Sequence, residues 1–304
     1  MITLLEPPRP AGLTSGGFRY QERVVGALGA DARRLTVAPG ALHDRVRELR
    51  AAAPRAVVVV DGWFADLQDR PLPAGVIALL HMQPTTAGWA ADVDRAIVTG
   101  AGTADGLRAD VARIAVVRPG IDGCFAPGPR TGDATPGVIC TGTICEAKGQ
   151  RRLVEALRSA PAPWRLTIVG SASREPDYVA RLRDVAADSP VTIRDAVPPE
   201  MLAALYAEHD LFVSMSTRES YGMAAAEAAA AGLPLFGLDT GELRAFGDRD
   251  ARWLLPVDAD DAAVSATLHA LLAAPRALAD CRRTIPGERR SWRKVADEFA
   301  AACG

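Results

Sequence analysis

Short apolar or β-branched runs alternate along the chain with longer stretches in which apolar residues recur every three or four positions. The short runs predict strands at Ile2 to Leu5, Leu35 to Ala38, Ala56 to Val60, Val76 to His81, Ala96 to Thr99 and Ile114 to Val117. Helical periodicity separates several of them, as over Phe18 to Leu28 and His43 to Ala52. Between Asp122 and Gly137 prolines and glycines interrupt any regular element. The rhythm then restarts, with strands expected at Val138 to Thr143, Arg165 to Val169, Val191 to Arg194, Leu211 to Ser214 and Pro234 to Leu238. Helices are expected near Gln150 to Ser159, Pro176 to Ala187, Pro199 to Glu208 and Met223 to Ala231. Such alternation predicts parallel sheets covered by helices, here two doubly wound α/β domains in series. The expected division is residues 1–122, a linker at 123–137, a second domain at 138–287 and a terminal amphipathic helix at 288–304. On that helix Trp292, Val295, Ala296 and Phe299 share one face, which suits core packing.

A length of 304 residues agrees with two domains at roughly 150 residues each. With 49% hydrophobic and 24% charged residues of mixed sign, a disordered or collagen-like chain is excluded. A net charge of −2 supplies no positive field to gather nucleic acid, so no nucleic-acid partner is expected. The opening Met1-Ile-Thr-Leu-Leu-Glu-Pro-Pro8 is too short for a signal peptide. No apolar run approaches the ~20 residues of a membrane span. A cytoplasmic location is the expectation. Cys124, Cys140, Cys145, Cys281 and Cys303 are scattered and odd in number, which suggests neither a disulfide framework nor a zinc ribbon. Lys148 and Lys294 are the only lysines among 35 basic residues. A lysine is therefore not a routine surface choice here, and a pyridoxal phosphate Schiff base has few places to form.

The stretch Leu211-Phe-Val-Ser-Met-Ser-Thr-Arg-Glu-Ser-Tyr-Gly-Met-Ala-Ala-Ala-Glu-Ala-Ala-Ala-Ala-Gly-Leu-Pro234 carries the most chemistry. It predicts a strand, a short loop and a helix from about Gly222 to Gly232. The amides of Gly222, Met223 and Ala224 lie at the positive end of that helix, and a glycine lets an anion approach closely. That combination makes a phosphate seat. Glu219 stands in the loop before the helix and Glu227 eight positions later, within it. Carboxylates are poor phosphate ligands but accept hydrogen bonds from sugar hydroxyls. A nucleotide with a sugar on each side of its diphosphate would satisfy both. On geometry alone, a loop charge at Glu219 and a solvated Glu227 are an equal reading.

The spacing Glu219-x7-Glu227, with Ser220-Tyr221-Gly222 after the first and Ala231-Gly232-Leu233-Pro234 after the second, resembles the donor site of retaining family-4 glycosyltransferases. The resemblance implies the GT-B fold: two Rossmann-like doubly wound domains facing across a cleft, with a C-terminal helix packing back. It implies an acceptor-side first domain and a donor-binding second domain, with Glu219 on the transferred sugar and Glu227 on the nucleotide ribose. Further matches follow in order. Gly16 and Gly17, in Thr14-Ser-Gly-Gly-Phe18, resemble the glycine loop near the donor diphosphate, a plain turn being the competing reading. His81 ends a predicted strand where the family often carries a histidine facing the donor sugar, though a lone histidine there is commonly structural. Val116-Val-Arg-Pro-Gly-Ile-Asp122 resembles the turn that closes the family's first domain. Asp195 to Tyr206 resembles the base-binding loop and helix, with the main chain near Val197 meeting the nucleobase. Ser220, Tyr221 and Met223 complete the implied donor loop.

The phosphate clamp departs from the family pattern of an arginine and a lysine. Here Thr141-Gly-Thr-Ile-Cys-Glu-Ala-Lys-Gly149 keeps Lys148 but has Thr143 in the arginine's place. Another cation is expected to substitute, with Arg19, Arg118 and Arg218 as candidates. The implied activity is retaining transfer from a nucleoside-diphosphate sugar, UDP ahead of GDP, to a hydroxyl of a small acceptor. His81, Lys148 and Glu219 are the implied catalytic residues, with no cofactor and no metal. Only about 120 residues before the linker, short for this family, point to the small acceptor. The alternatives are a nucleotide-sugar-binding protein without transfer activity and a GT-B-type sugar-nucleotide epimerase. Gly100-Ala-Gly102-Thr-Ala-Asp-Gly106 resembles a dinucleotide fingerprint, but its last glycine is one position late, and a loop with turns is expected. Asp258-Ala-Asp260-Asp261 has the Asp-x-Asp spacing of metal-dependent transferases, yet it stands where a helix begins and capping is expected. His43, His81, His209 and His269 are isolated in sequence and form no metal motif. Arginines 282, 283, 289, 290 and 293, diluted by Glu288, Asp297 and Glu298, are expected to form a solvated face rather than a membrane dock.

Overall fold

A computed structural model describes residues 1–68, 70–132, 134–161, 163–247, 249–281 and 289–304. Contacts divide the chain into two units, one comprising Met1–Pro10, Gly17–Gly120 and Arg290–Gly304, the other Ala11–Gly16 and Ile121–Arg289. The first unit runs β1 (Ile2–Glu6), α1 (Gly16–Leu28), β2 (Ala32–Thr36), α2 (Leu42–Ala52), β3 (Val57–Asp61), α3 (Phe64–Leu67), β4 (Ile77–Leu80), β5 (Arg95–Val98), α4 (Ala101–Leu107) and β6 (Arg113–Val116). The second runs β7 (Gly137–Thr141), α5 (Gln150–Arg158), β8 (Arg165–Val169), α6 (Pro176–Ala186), β9 (Val191–Arg194), α7 (Pro199–Glu208), β10 (Leu211–Ser214), α8 (Met223–Ala230), β11 (Leu235–Leu238), β12 (Arg252–Leu255), α9 (Asp261–Leu272) and α10 (Pro275–Cys281). Helix α11 (Trp292–Cys303) belongs to the first unit. It buries Val295, Phe299 and Cys303 among Leu4, Tyr20 and Ile97.

Each unit is a six-stranded parallel sheet with helices on both faces. The period of two sends alternate side chains to opposite layers. Leu4 joins one core and Leu5 the other, as Leu211 and Val213 oppose Phe212 in the second unit. The first sheet has the order β2-β1-β3-β4-β5-β6 and the second β12-β11-β10-β7-β8-β9. In each, successive connections change direction beside the first strand: between β1 and β3 in one, between β7 and β10 in the other. Such switch points open a crevice at the strands' carboxyl ends.

Several elements differ from expectation, the short helices α3 and α10 among those not anticipated. β2 starts at Ala32 rather than Leu35, and β12 was not expected. Both are edge strands whose half-buried or exposed side chains, Arg34 and Arg33 among them, break up the apolar run that marks a buried strand. The glycine-rich segment after β5 is not a loop but helix α4, with Gly100 at its N-cap and Thr103, Ala104 and Leu107 buried. Packing of that face overrides the low helix propensity of Gly102 and Gly106. Asp260 caps α9, its Oδ1 accepting from the Ala263 amide at 2.7 Å, as expected of this acidic run. Ser291 caps α11. Glu288, with which that helix was expected to open, and Arg282 and Arg283 lie outside the described residues.

The remaining arginines of that group do not form a simply solvated face. Arg289 donates to the Phe125 carbonyl at 2.9 Å. Arg290 donates to the Arg118 carbonyl and pairs with Glu298, whose carboxyl it holds below its ordinary value. Arg293 pairs with Asp297. Among the described residues no single helix is long and apolar enough to cross a membrane. The bent pair α9 and α10 passes on length and composition, but Val264, Leu268 and Leu272 of α9 are core residues.

Candidate functional site

The switch point of the second sheet is flanked by β7 and β10, and the loops that leave these two strands carry Lys148 and Glu219. Gly149 follows Lys148 with φ +66, a left-handed conformation in which a Cβ would stand 2.5 Å from the Met215 carbonyl oxygen. Only glycine allows the two loops to approach so closely. The Thr217 amide donates to the Ala147 carbonyl at 3.0 Å, tying the loops together. Lys148 Nζ thereby reaches Glu219 Oε1 in an ion pair, the two side chains 28% and 18% exposed.

Gly222 caps α8 with φ +97, and a Cβ there would stand 2.8 Å from Leu243. No side chain caps this helix, so its first-turn amides have no partner within it. A cavity lined by Cys140, Thr141, Lys148, Glu219, Gly222 and Leu243 gathers the ammonium, the carboxylate and the helix end. Burial pushes the Cys140 thiol up to about 12, so beneath this cavity it is a neutral wall. Glu227, on α8, is 3% exposed, which excludes a solvated surface position. Ser220 and Tyr221 are also buried, with the Tyr221 ring 4.9 Å from Phe246. Gly241, at φ +60, leaves room for Glu219, whose Cβ would otherwise be 2.8 Å away. This second wall was not found from sequence, although a Thr240-Gly241 turn after β11 was its one signal.

The other expected donor residues of this unit take different places. The Thr143 hydroxyl donates to the Thr14 carbonyl at 3.2 Å, while its own carbonyl accepts from Gln150. At Gly16 a Cβ would stand 3.1 Å from Met223 Sδ. Val197 is half-buried against the core cluster that holds Phe212 and Tyr206. Of the three candidate arginines, Arg218 belongs to this unit and is exposed one position before Glu219; Arg19 and Arg118 belong to the first.

His81 lies in the first unit, immediately past β4 rather than within it. Gly17 makes room for its ring, since a Cβ there would come 2.7 Å from His81 Cδ2. The Tyr20 ring meets the imidazole edge-on at 5.3 Å. Gln21 Nε2 bridges Asp61 and His81, and Gln21 and Asp61 are the two residues of this group that the sequence reading missed. The polar Asp61 that ends the run Val57-Val-Val-Val-Asp61 was the available signal. Burial lowers the His81 pKa, opposed in part by the Asp61 charge. Among the described residues no group of three or more His, Cys, Asp or Glu side chains is arranged to hold a metal.

Residues 135–273 match the family model described as Glycosyl transferases group 1. That stretch is similar to the group 1 glycosyl transferases. Its boundaries enclose Thr143, Lys148, Glu219, Gly222 and Glu227. Among curated proteins, the D-inositol 3-phosphate glycosyltransferase of Xylanimonas cellulosilytica is 34% identical over 215 residues, covering 64% of this chain and 51% of the relative. The chain thus spans about half the length of the curated relatives it matches. Among solved structures, a glycosyltransferase from Rickettsia africae superposes with a TM-score of 0.74 at 14% identity, covering 99% of this chain and 97% of the other. Anabaena HepE in complex with UDP and glucose gives 0.74 at 15% identity, covering 99% and 98%. The fold is that of the GT-B glycosyltransferases. Both six-stranded units and the terminal helix accord with it.

Proposed function

We propose that the chain is a retaining glycosyltransferase that takes a sugar from a nucleoside-diphosphate sugar, UDP ahead of GDP, and passes it to a hydroxyl of a small acceptor. The observation that carries the reading is the joint placement of Lys148, Glu219 and the uncapped α8 end around one cavity within the stretch similar to the group 1 glycosyl transferases. A diphosphate meets there a lysine point charge and a helix N-terminus, both of which favour negative charge. Glu219 then accepts from hydroxyls of the transferred sugar, and Glu227 from the ribose. As the bond to the sugar breaks, Lys148 and the α8 amides stabilise charge growing on the leaving phosphate. That phosphate takes the acceptor's proton, so no protein nucleophile and no cofactor enter the scheme. Among the three arginines, Arg218 is the proposed replacement for the clamp arginine, because it stands beside Glu219. The name of the curated relatives supports a small polyol phosphate as the first acceptor to try. Five cysteines that form no disulfide among the described residues suit the reducing cytoplasm.

A thermal-shift panel of UDP, GDP, ADP and NAD on wild type and Lys148→Ala is the direct test. A nucleotide at 100 times its Kd adds about 2.7 kcal/mol, a rise of several degrees in Tm. Stabilisation by one nucleoside diphosphate, lost in Lys148→Ala, is expected. Stabilisation by NAD alone, or by none, refutes the reading. Product anomeric configuration by NMR, with turnover repeated in EDTA, then decides retention and metal independence.

A further inference from the structure

Three side chains of the first unit meet at its own switch point. Gln21 lies on the buried face of α1, Asp61 ends β3 and His81 follows β4. One nitrogen joins them: Gln21 Nε2 is 2.5 Å from Asp61 Oδ2 and 3.2 Å from His81 Nε2. Gln21 and Asp61 are 0% and 3% exposed, so the geometry is set by protein rather than by water. Asp61 Oδ1 accepts from the Trp63 amide at 2.9 Å, and both carboxylate oxygens are therefore acceptors.

A glutamine amide nitrogen carries two hydrogens and accepts nothing. One hydrogen goes to Asp61 and the other points at His81 Nε2, which must then present a lone pair. Turning the amide over would set Gln21 Oε1 against Asp61 Oδ2, two acceptors with no hydrogen between them. The orientation holds although Gln21 Oε1 is left buried without a hydrogen bond, so the two N–H bonds decide it. Protonating the imidazole would bring an Nε2 hydrogen against the amide's own. His81 Nδ1 has no hydrogen-bond partner among the described residues, and the residue is half-buried rather than enclosed.

We propose that Gln21 and Asp61 are positioning residues that hold His81 as the neutral Nδ1–H tautomer, presenting its single ring N–H as a donor to a substrate hydroxyl. The choice of a hydroxyl rests on the sugar-transfer reading; the tautomer does not. Asp61 orients Gln21, Gln21 fixes the ring nitrogen that stays bare, and Gly17 with Tyr20 fixes the ring plane.

Long-range ¹H–¹⁵N correlation spectra of the labelled full chain, without ligand and at mildly alkaline pH, read the tautomer directly. Four histidines give a small spectrum, and the His81 signals are those lost in His81→Asn. In wild type, Nδ1 is expected to be pyrrole-type and Nε2 pyridine-type. Asp61→Asn lets the amide turn over, its Oε1 accepting from the new side-chain N–H, so the Nδ1–H signals should give way to those of Nε2–H. Gln21→Met removes both donors and should leave a mixture. A protonated Nε2 in wild type overturns the proposal even if neither variant folds. An unchanged tautomer in both folded variants overturns it as well. A wild type that shows the Nδ1–H form but turns over no nucleotide sugar refutes the functional reading and leaves the tautomer assignment standing.

Discussion

The two switch points of this chain are built from similar parts and are charged differently. In the first unit the crevice beside β1 and β3 holds a buried amide and carboxylate joined to a half-buried, neutral imidazole. In the second, the crevice beside β7 and β10 holds a lysine–glutamate pair with each side chain partly exposed. Burial rewards paired, inward-facing hydrogen bonds, because a missing partner there costs about 1–3 kcal/mol, and in this crevice Gln21 Oε1 goes without one. Partial exposure does the opposite: an ion pair in contact with solvent contributes about 0–1 kcal/mol. Lys148 can therefore exchange Glu219 for a phosphate at little cost, which frees the carboxylate for sugar hydroxyls. The first crevice holds its groups in fixed orientation, while the second keeps its charges available.

The largest effect that sharpens this contrast comes from a fully buried histidine of the second unit. His209 is 1% exposed, with Nδ1 2.7 Å from the Leu205 carbonyl and Nε2 2.8 Å from the Thr167 hydroxyl. Burial pushes its pKa down to about 4, with nearby Arg165 and Arg130 acting in the same direction. Between 6.5 and 4 the unfolded chain binds the proton and the folded chain does not. Stability is therefore complete above pH 6.5 and is lost as the pH falls toward 4, by about 3 kcal/mol. Urea unfolding at both ends of that window should show this loss in wild type and its removal in His209→Asn. Equal pH dependence in the two proteins would refute the assignment.

Next in size is the split between the two crevices in ligand binding. Lys148→Ala removes a charged hydrogen bond of about 1.5–3 kcal/mol, so affinity for a nucleoside diphosphate should fall by roughly ten- to a hundredfold in calorimetry. Glu219→Gln should leave that affinity within about threefold and lower kcat by tenfold or more, because its partner is the sugar. Equal losses in both parameters would remove Glu219 from the sugar. Gln21→Met should leave nucleotide affinity unchanged; a tenfold loss there would erase the distinction between the crevices.

The second crevice was far more legible in sequence than the first, for a physical reason. Glu219, Gly222 and Glu227 lie in one continuous loop and helix, and Lys148 lies beside Gly149 in another loop, so chemistry and local backbone demands coincide in two short stretches of sequence. Gly149 and Gly222 both take positive φ, so their identities are dictated by the backbone. Gln21, Asp61 and His81 are brought together by the folding of separate βα units, and the isolated letters carry no local pattern. The same contrast holds for the fold. The central strands β8 and β10 were read at their observed bounds from continuous β-branched or apolar runs, and the edge strand β9 from its alternation of apolar and polar positions. The edge strands β2 and β12 and the helix α4 owe their existence to neighbours on the sheet, which a local window does not see.

The smallest effect tests whether the first crevice really fixes its imidazole by steric fit, and it uses two glycines of one helix. Gly26 lies in the interior of α1 with nothing within 4 Å of a built Cβ, so Gly26→Ala gains helix propensity without a clash. It should stabilise the protein by about 0.5–1 kcal/mol. Gly17, in the first turn of the same helix, has His81 Cδ2 at 2.7 Å and Cγ at 3.0 Å from a built Cβ. Gly17→Ala has the same intrinsic gain, but the ring must move, and it is held by Tyr20 at its edge and by Gln21 at Nε2. Overpacking of this kind costs about 1–3 kcal/mol, which outweighs the gain and reverses the sign. Denaturant midpoints of the two variants should therefore move in opposite directions at unchanged m-value. A stabilising Gly17→Ala would mean that the imidazole yields freely, and that the amide at Gln21 alone positions the ring.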